Sequence, residues 1–221
     1  MRGGRHRYWK GWGCNGPGPQ RERFRMEENM ISHKNQFFHA SQTPDIGYLE
    51  PRVSNHGIPL IYFSAKRENT LVYLSNAVEK YCKETGYIHH GKWQKWASYG
   101  FTKEGIFRLE EYYPNATVDT YKGVSGYIYS AAAAEDMEKM SDIPFGFVSK
   151  SRVKVEDAEY IPDAYDSIME AVERGEIILR KYEDLSEAAH KWIHDSVIKE
   201  YETASEEYRY FLKGKFDFLN T

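Results

Sequence analysis

Cysteine is nearly missing from this sequence: Cys14 and Cys82 are the only two in 221 residues. One lies in a glycine-rich leader and the other inside a helical pattern. A disulfide framework or a thiolate metal site is therefore not expected, and a reducing compartment fits. No run of about 18 apolar residues is present for a membrane span. The N-terminal stretch also lacks the apolar segment of a secretory signal, so the expected location is cytoplasmic, with no membrane partner. No Gly-x-Gly-x-x-Gly opens a helix after the first strand, and strict βα alternation is missing, which argues against a Rossmann domain. No Gly-x-Ser-x-Gly elbow marks a hydrolase triad, and no glycine-rich loop with lysine marks a nucleoside-triphosphate site.

Net charge is also small. A formal charge of −3 and a pI near 6.3 argue against a general nucleic-acid or membrane-surface binder, because phosphate recognition normally needs a concentrated basic face. The charge is unevenly spread. Residues 1–25 hold seven basic side chains (Arg2, Arg5, Arg7, Lys10, Arg21, Arg23, Arg25) against Glu22 alone, or +6, which leaves −9 for the rest. Six glycines, Pro17 and Pro19 interrupt the same stretch, with no strand or helix period. Residues 1–30 are accordingly expected to be a disordered basic leader, removable from the fold. The remaining 31–221 are long enough for one well-buried core and form a single domain with a C-terminal helix.

Within that domain, hydrophobic period and turn residues predict strands over 36–39 and 59–63, then a helix over 66–84 that stops at Gly86. Short strands follow over 92–101, 106–113, 117–121 and 126–130, and a short helix over 131–140. Two more strands are expected over 144–148 and 153–159. A helix over 163–173, a strand over 177–182 and an amphipathic helix from Ser186 to about residue 204 complete the order. This order predicts an α+β fold, with a split, mainly antiparallel β-sheet core and flanking helices. The aromatic and charged tail over 206–219 is either a partner-binding segment or a piece docked back on the domain.

Three short segments carry the chemistry. They are Phe37-Phe38-His39-Ala40-Ser41, Ile61-Tyr62-Phe63-Ser64 with Tyr73 eleven residues after Tyr62, and Ala158-Glu159-Tyr160-Ile161. Together they resemble the His-Tyr-Glu signature of ADP-ribosyltransferases, the group that includes diphtheria-type toxins and poly(ADP-ribose) polymerases. The resemblance spans residues 37–182 and rests on about ten positions. It implies NAD as substrate, with His39 on the adenosine ribose and the backbone of Ala40 on the nicotinamide amide. Ala40 stands where the polymerase-type members have glycine, and Ser41 completes the triplet. It further implies Tyr62 and Tyr73 sandwiching nicotinamide, with the Thr70 hydroxyl on its amide, and Ser64 either at the site or capping the next helix. Glu159 would hold the nicotinamide-ribose 2′-hydroxyl and face the oxocarbenium-like centre. Its rival Glu156, three positions earlier, would face the other side of a strand. The position for recognising an arginine acceptor falls at Asp157, a departure from arginine-modifying members.

The implied activity is mono-ADP-ribosyl transfer from NAD to a macromolecular acceptor, protein rather than nucleic acid, with nicotinamide released. Two alternatives stay open: a non-catalytic interaction module on the same fold, and an RNA 2′-phosphotransferase, which the acidic core disfavours. Each strand-end residue also has a plain structural reading, since 18 tyrosines make chance pairs common. The pairs His89-His90 and His190/His194 are read as solvated loop and helix surface rather than as metal ligands, and no metal site is expected.

Overall fold

A computed structural model describes residues 36–53, 57–91 and 98–220; the leader, and the first part of the strand expected over 92–101, lie outside them. The first strand, β1 (Gln36–Ser41), runs antiparallel to a much later one along its whole length. Two short strands, β2 (Tyr48–Leu49) and β3 (Arg52–Val53), precede β4 (Pro59–Ser64). After it come β5 (Ser98–Phe101), β6 (Phe107–Glu110) and β7 (Gly126–Ala132). The series closes with β8 (Glu138–Lys139), β9 (Gly146–Ser149), β10 (Val153–Lys154), β11 (Asp157–Ile161) and β12 (Ile177–Arg180). The main sheet has the order β11-β7-β1-β4-β9-β8, with β3 beside β4. A second sheet has the order β12-β6-β5, in which β12 runs parallel to β6. The α+β class with a mainly antiparallel core stands.

Alternation decides which face of the main sheet each residue serves. Ile61, Phe63 and Ala131 form a small core on one face with Leu49 and Val153 of the β2–β10 pair. Phe38, Ala40, Ile128 and Ile161 meet the larger core on the other face. That larger core is closed by five helices, α1 (Ala77–Thr85), α2 (Ala116–Tyr121), α3 (Ala164–Glu173), α4 (Glu187–Thr203) and α5 (Glu206–Lys215). Its fully enclosed members include Leu71, Val78, Ile168 and Phe211.

Helix ends follow their local chemistry. Asp163 caps α3 by accepting from the amides of Tyr165 and Asp166, and its other oxygen accepts from Gly123. Ser186 caps α4 through Ala189, and Gly86 ends α1 in the left-handed region that favours glycine.

Four expectations are corrected. The helix expected over 66–84 is two elements, a 3-10 turn over Glu68–Tyr73 and then α1. Asn76 is extended and its side chain accepts from Glu79, while the Ser75 hydroxyl donates to the Thr120 carbonyl, so a new cap interrupts a continuous apolar period. The strand expected over 117–121 is α2. Its Thr117 and Thr120 are buried, and the Glu111 carboxylate accepts from the Thr117 amide at the helix start, so packing and a borrowed cap override β propensity. The helix expected over 131–140 is instead the end of β7, a turn and β8, because Phe37 and Gln36 of β1 pair with Ala131 and Ala132. The strand expected over 153–159 is likewise broken, into β10 and β11.

The C-terminal segment is docked. Tyr208, Phe211, Leu212 and Phe216 are buried, the Tyr87 ring stacks on Tyr210 at 4.1 Å, and Glu207 accepts from the His90 amide at 2.9 Å. His90 stays exposed, as expected of a solvated loop, with its amide held by Glu207. Because Phe211 is 1% exposed, Phe211→Ala is expected to cost about 3–5 kcal/mol, read as a lowered urea midpoint. Unchanged stability would mean that the tail is not part of the core.

Candidate functional site

The three segments named from the sequence lie on β1, β4 with the following turn, and β11. β1 is in register with β7 from Gln36↔Ala132 to Ser41↔Tyr127, yet with β4 only at Phe38↔Ser64. Beyond that pair the two strands part. The facing edge of β4 is taken up again by β3, at Leu60↔Arg52. Between these two pairings lies the Tyr62 carbonyl, and the His39 imidazole satisfies it through Nδ1 at 2.9 Å. A carbonyl accepts only, so Nδ1 carries the proton and Nε2 is left as an acceptor. Burial, and secondarily the charge of Arg52, depress the His39 pKa below its usual 6.5, against the opposing effect of the bond to Tyr62. His39 is therefore neutral at neutral pH.

Registers place the other residues. Glu159 pairs with Ile128, and Ile128 with Ala40. Tyr62 is two residues from Ser64, and Ala40 two from Phe38, so Tyr62, Ala40, Ile128 and Glu159 share the face of the larger core. His39 pairs with Tyr129, and its ring lies 6.2 Å from Phe63, on the other face. The site is thus not one row of side chains. Tyr62 and Glu159 look the same way, whereas His39, on the other face, meets this side only at the Tyr62 carbonyl, in the parting of β1 and β4.

Tyr62 and Glu159 stand three strand spacings apart, roughly 14 Å. Arg67, at the foot of the 3-10 turn, bridges part of that gap: its Nε and Nη2 donate to the two carboxylate oxygens of Glu159, both at 2.6 Å. The side chains are 29% and 48% exposed, so this bidentate pair contributes on the order of 1 kcal/mol at most. Thr70 and Tyr73 lie further along the same turn. Tyr73 is 42% exposed as a residue, but packing around its hydroxyl, with the Tyr99 ring at 5.8 Å and Tyr121 and Tyr62 close by, raises its pKa well above the ordinary value.

Three candidates are committed to local structure. The Thr70 hydroxyl is 3% exposed and donates to the Arg67 carbonyl at 2.7 Å, so it pins the turn, contrary to its expected role on a ligand amide. Ser64 Oγ accepts from the Lys66 amide and Ser41 Oγ from the Thr43 amide, which makes both turn-forming residues. Glu156 lies between β10 and β11, where its amide donates to the Ser130 carbonyl.

Arg67 was not among the residues singled out from sequence. Its only signal is a basic residue between the two tyrosines and five after Tyr62. Asn69 in the same turn is 4% exposed, with neither amide atom hydrogen-bonded among the described residues. Elsewhere, the His190 imidazole bonds the Tyr182 carbonyl and His194 contacts Asp195. A separate cavity of about 350 Å³ lies by Glu110, Arg180 and Trp192, and none of the candidate site residues lines it.

The class defined here is an α+β protein whose main antiparallel sheet splits between two central strands, with a histidine in the split and a carboxylate on a flanking strand. Comparison with protein-family models, curated proteins and solved structures returns no match.

His39 makes stability pH-dependent. Its folded pKa is depressed, so its contribution is fully present above the unfolded value of about 6.5 and is lost as pH falls through the folded value. His39→Gln, which keeps an N–H donor for Tyr62, should lower the urea midpoint less steeply between pH 7.5 and 5 than the wild type does. Parallel pH profiles would show that His39 protonates freely in the fold.

Proposed function

We propose that this protein is an NAD-dependent ADP-ribosyltransferase, moving ADP-ribose from NAD to a macromolecular acceptor, a protein rather than a nucleic acid, and releasing nicotinamide. The observation that carries the reading is the 2.6 Å contact between Arg67 and Glu159. It ties the turn between Tyr62 and Tyr73 to a carboxylate 92 residues away, so the tyrosine pair and Glu159 belong to one side of one sheet.

The chemistry follows from those groups. NAD lies with nicotinamide against Tyr62 and Tyr73, whose aromatic faces suit a flat cationic ring. The neutral His39 presents Nε2 as an acceptor for an adenosine-ribose hydroxyl. Glu159 accepts from the nicotinamide-ribose 2′-hydroxyl and faces the positive charge that develops at C1′. The C1′–nitrogen bond breaks with its electron pair leaving on neutral nicotinamide. The acceptor's nucleophile, or water, then bonds to C1′ and gives up its proton to solvent. Preference for a protein acceptor follows from the net −9 outside residues 1–25, which repels a polyanion.

A second reading takes the same contact the other way. Both Glu159 oxygens are occupied by Arg67, as in a cleft that serves structure or a different ligand, and on this reading the protein is a non-catalytic interaction module.

Incubation with NAD labelled in the adenine and candidate lysates separates the two. Transfer or hydrolysis with free nicotinamide is expected, falling about 10²–10³-fold in Glu159→Gln. No turnover together with no NAD-dependent rise in melting temperature would leave the module reading in place.

A further inference from the structure

We infer that Arg67 is the pyrophosphate-binding residue of the NAD site, and that in the ligand-free protein its guanidinium rests on Glu159 in place of the ligand. This rests on the transferase reading and adds to it a residue that the His-Tyr-Glu resemblance does not supply. With Nε on one carboxylate oxygen and Nη2 on the other, both at 2.6 Å, the charge of Glu159 is neutralised. A carboxylate in that state is a poor partner for a developing oxocarbenium, so turnover requires Arg67 to leave it.

NAD brings the group that can draw it away. The pyrophosphate carries two negative charges and joins, through the 5′-oxygen, the ribose whose 2′-hydroxyl Glu159 would hold. A guanidinium forks onto phosphate oxygens with the same bidentate geometry that it uses on a carboxylate. The ion pair is half-exposed, so exchanging one anion for another strands no buried charge. The backbone at Arg67 is fixed, because its carbonyl accepts from the Thr70 amide at 3.0 Å and from the Thr70 hydroxyl; only the side chain has to swing. Lys66 is a weaker candidate, its ammonium lying 4.4 Å from the centre of the Phe145 ring. Arg52, whose charge reaches His39, is the rival.

The test measures binding of NAD, ADP and adenosine by calorimetry to the full chain and to Arg67→Gln, Arg52→Gln and Glu159→Gln. Arg67→Gln should weaken ADP about 10–100-fold and leave adenosine unchanged. Glu159→Gln should bind ADP more tightly than the wild type, because the competing anion is gone, while NAD turnover is lost. A purely structural ion pair would give the opposite, with Glu159→Gln unchanged or weaker. If Arg67→Gln does not fold, tighter ADP binding by Glu159→Gln still decides the matter. Wild-type NAD binding with ADP affinity insensitive to Arg67, or sensitive to Arg52 instead, overturns the inference alone. A wild type that binds neither NAD nor ADP overturns the transferase reading, and this inference with it.

Discussion

The architecture of the site depends on how one edge of β4 is shared. Three partners use it in turn: β1 at Ser64, the His39 imidazole at the Tyr62 carbonyl, and β3 at Leu60. Had β1 continued along β4, the sheet would be closed at this point, with no gap beside Tyr62. Parting two central strands leaves a backbone carbonyl without its ladder partner, and a buried, unpaired carbonyl costs about as much as a lost hydrogen bond. His39 meets that need with a side chain, and in doing so is held neutral and in one tautomer. The imidazole that meets this structural requirement is the one to which the proposed function gives a binding role.

The far side of the site is held in a different way. Glu159 lies on β11, the strand at one end of the main sheet, with four of its five residues exposed. Nothing in the core dictates the direction of its carboxylate. Arg67 does so from the turn that follows β4, and Thr70 keeps that turn in place. A half-exposed ion pair of this kind is cheap to break compared with a buried one. The split between β1 and β4 is held by backbone pairing and one imidazole, whereas the contact across to β11 is a half-exposed ion pair.

Legibility from sequence varied by residue. The strand around Tyr62, the helices that Asp163 and Ser186 begin, and the glycine stop at Gly86 are local statements, each written in period or cap chemistry, and all appear where the sequence places them. The 66–84 segment failed because apolar spacing passes without a break through Ser75-Asn76, and only the bonds to Thr120 and Glu79 reveal the interruption there. Over Thr117 to Tyr121 the β-branched residues point by propensity to a strand, while the Glu111 carboxylate that starts the helix sits six positions away. Thr70 was a plausible ligand contact from spacing alone, and its hydroxyl turned out to be satisfied three residues back.

What the sequence determined by itself is the inventory and the short-range order: an α+β chain, strands that carry His39 and Tyr62, a tyrosine eleven residues on, and Glu159 followed by Tyr160 and Ile161. Those are properties of neighbours, and neighbours are what period, caps and motifs encode. Only the tertiary structure decided that β1 leaves β4 after one register pair, that His39 and Glu159 belong to opposite faces, and that Arg67 crosses to Glu159. Each of these joins residues 23 or more positions apart. Such pairings are settled by the competition of strands for edges and of charges for partners in the folded chain, which no local pattern records.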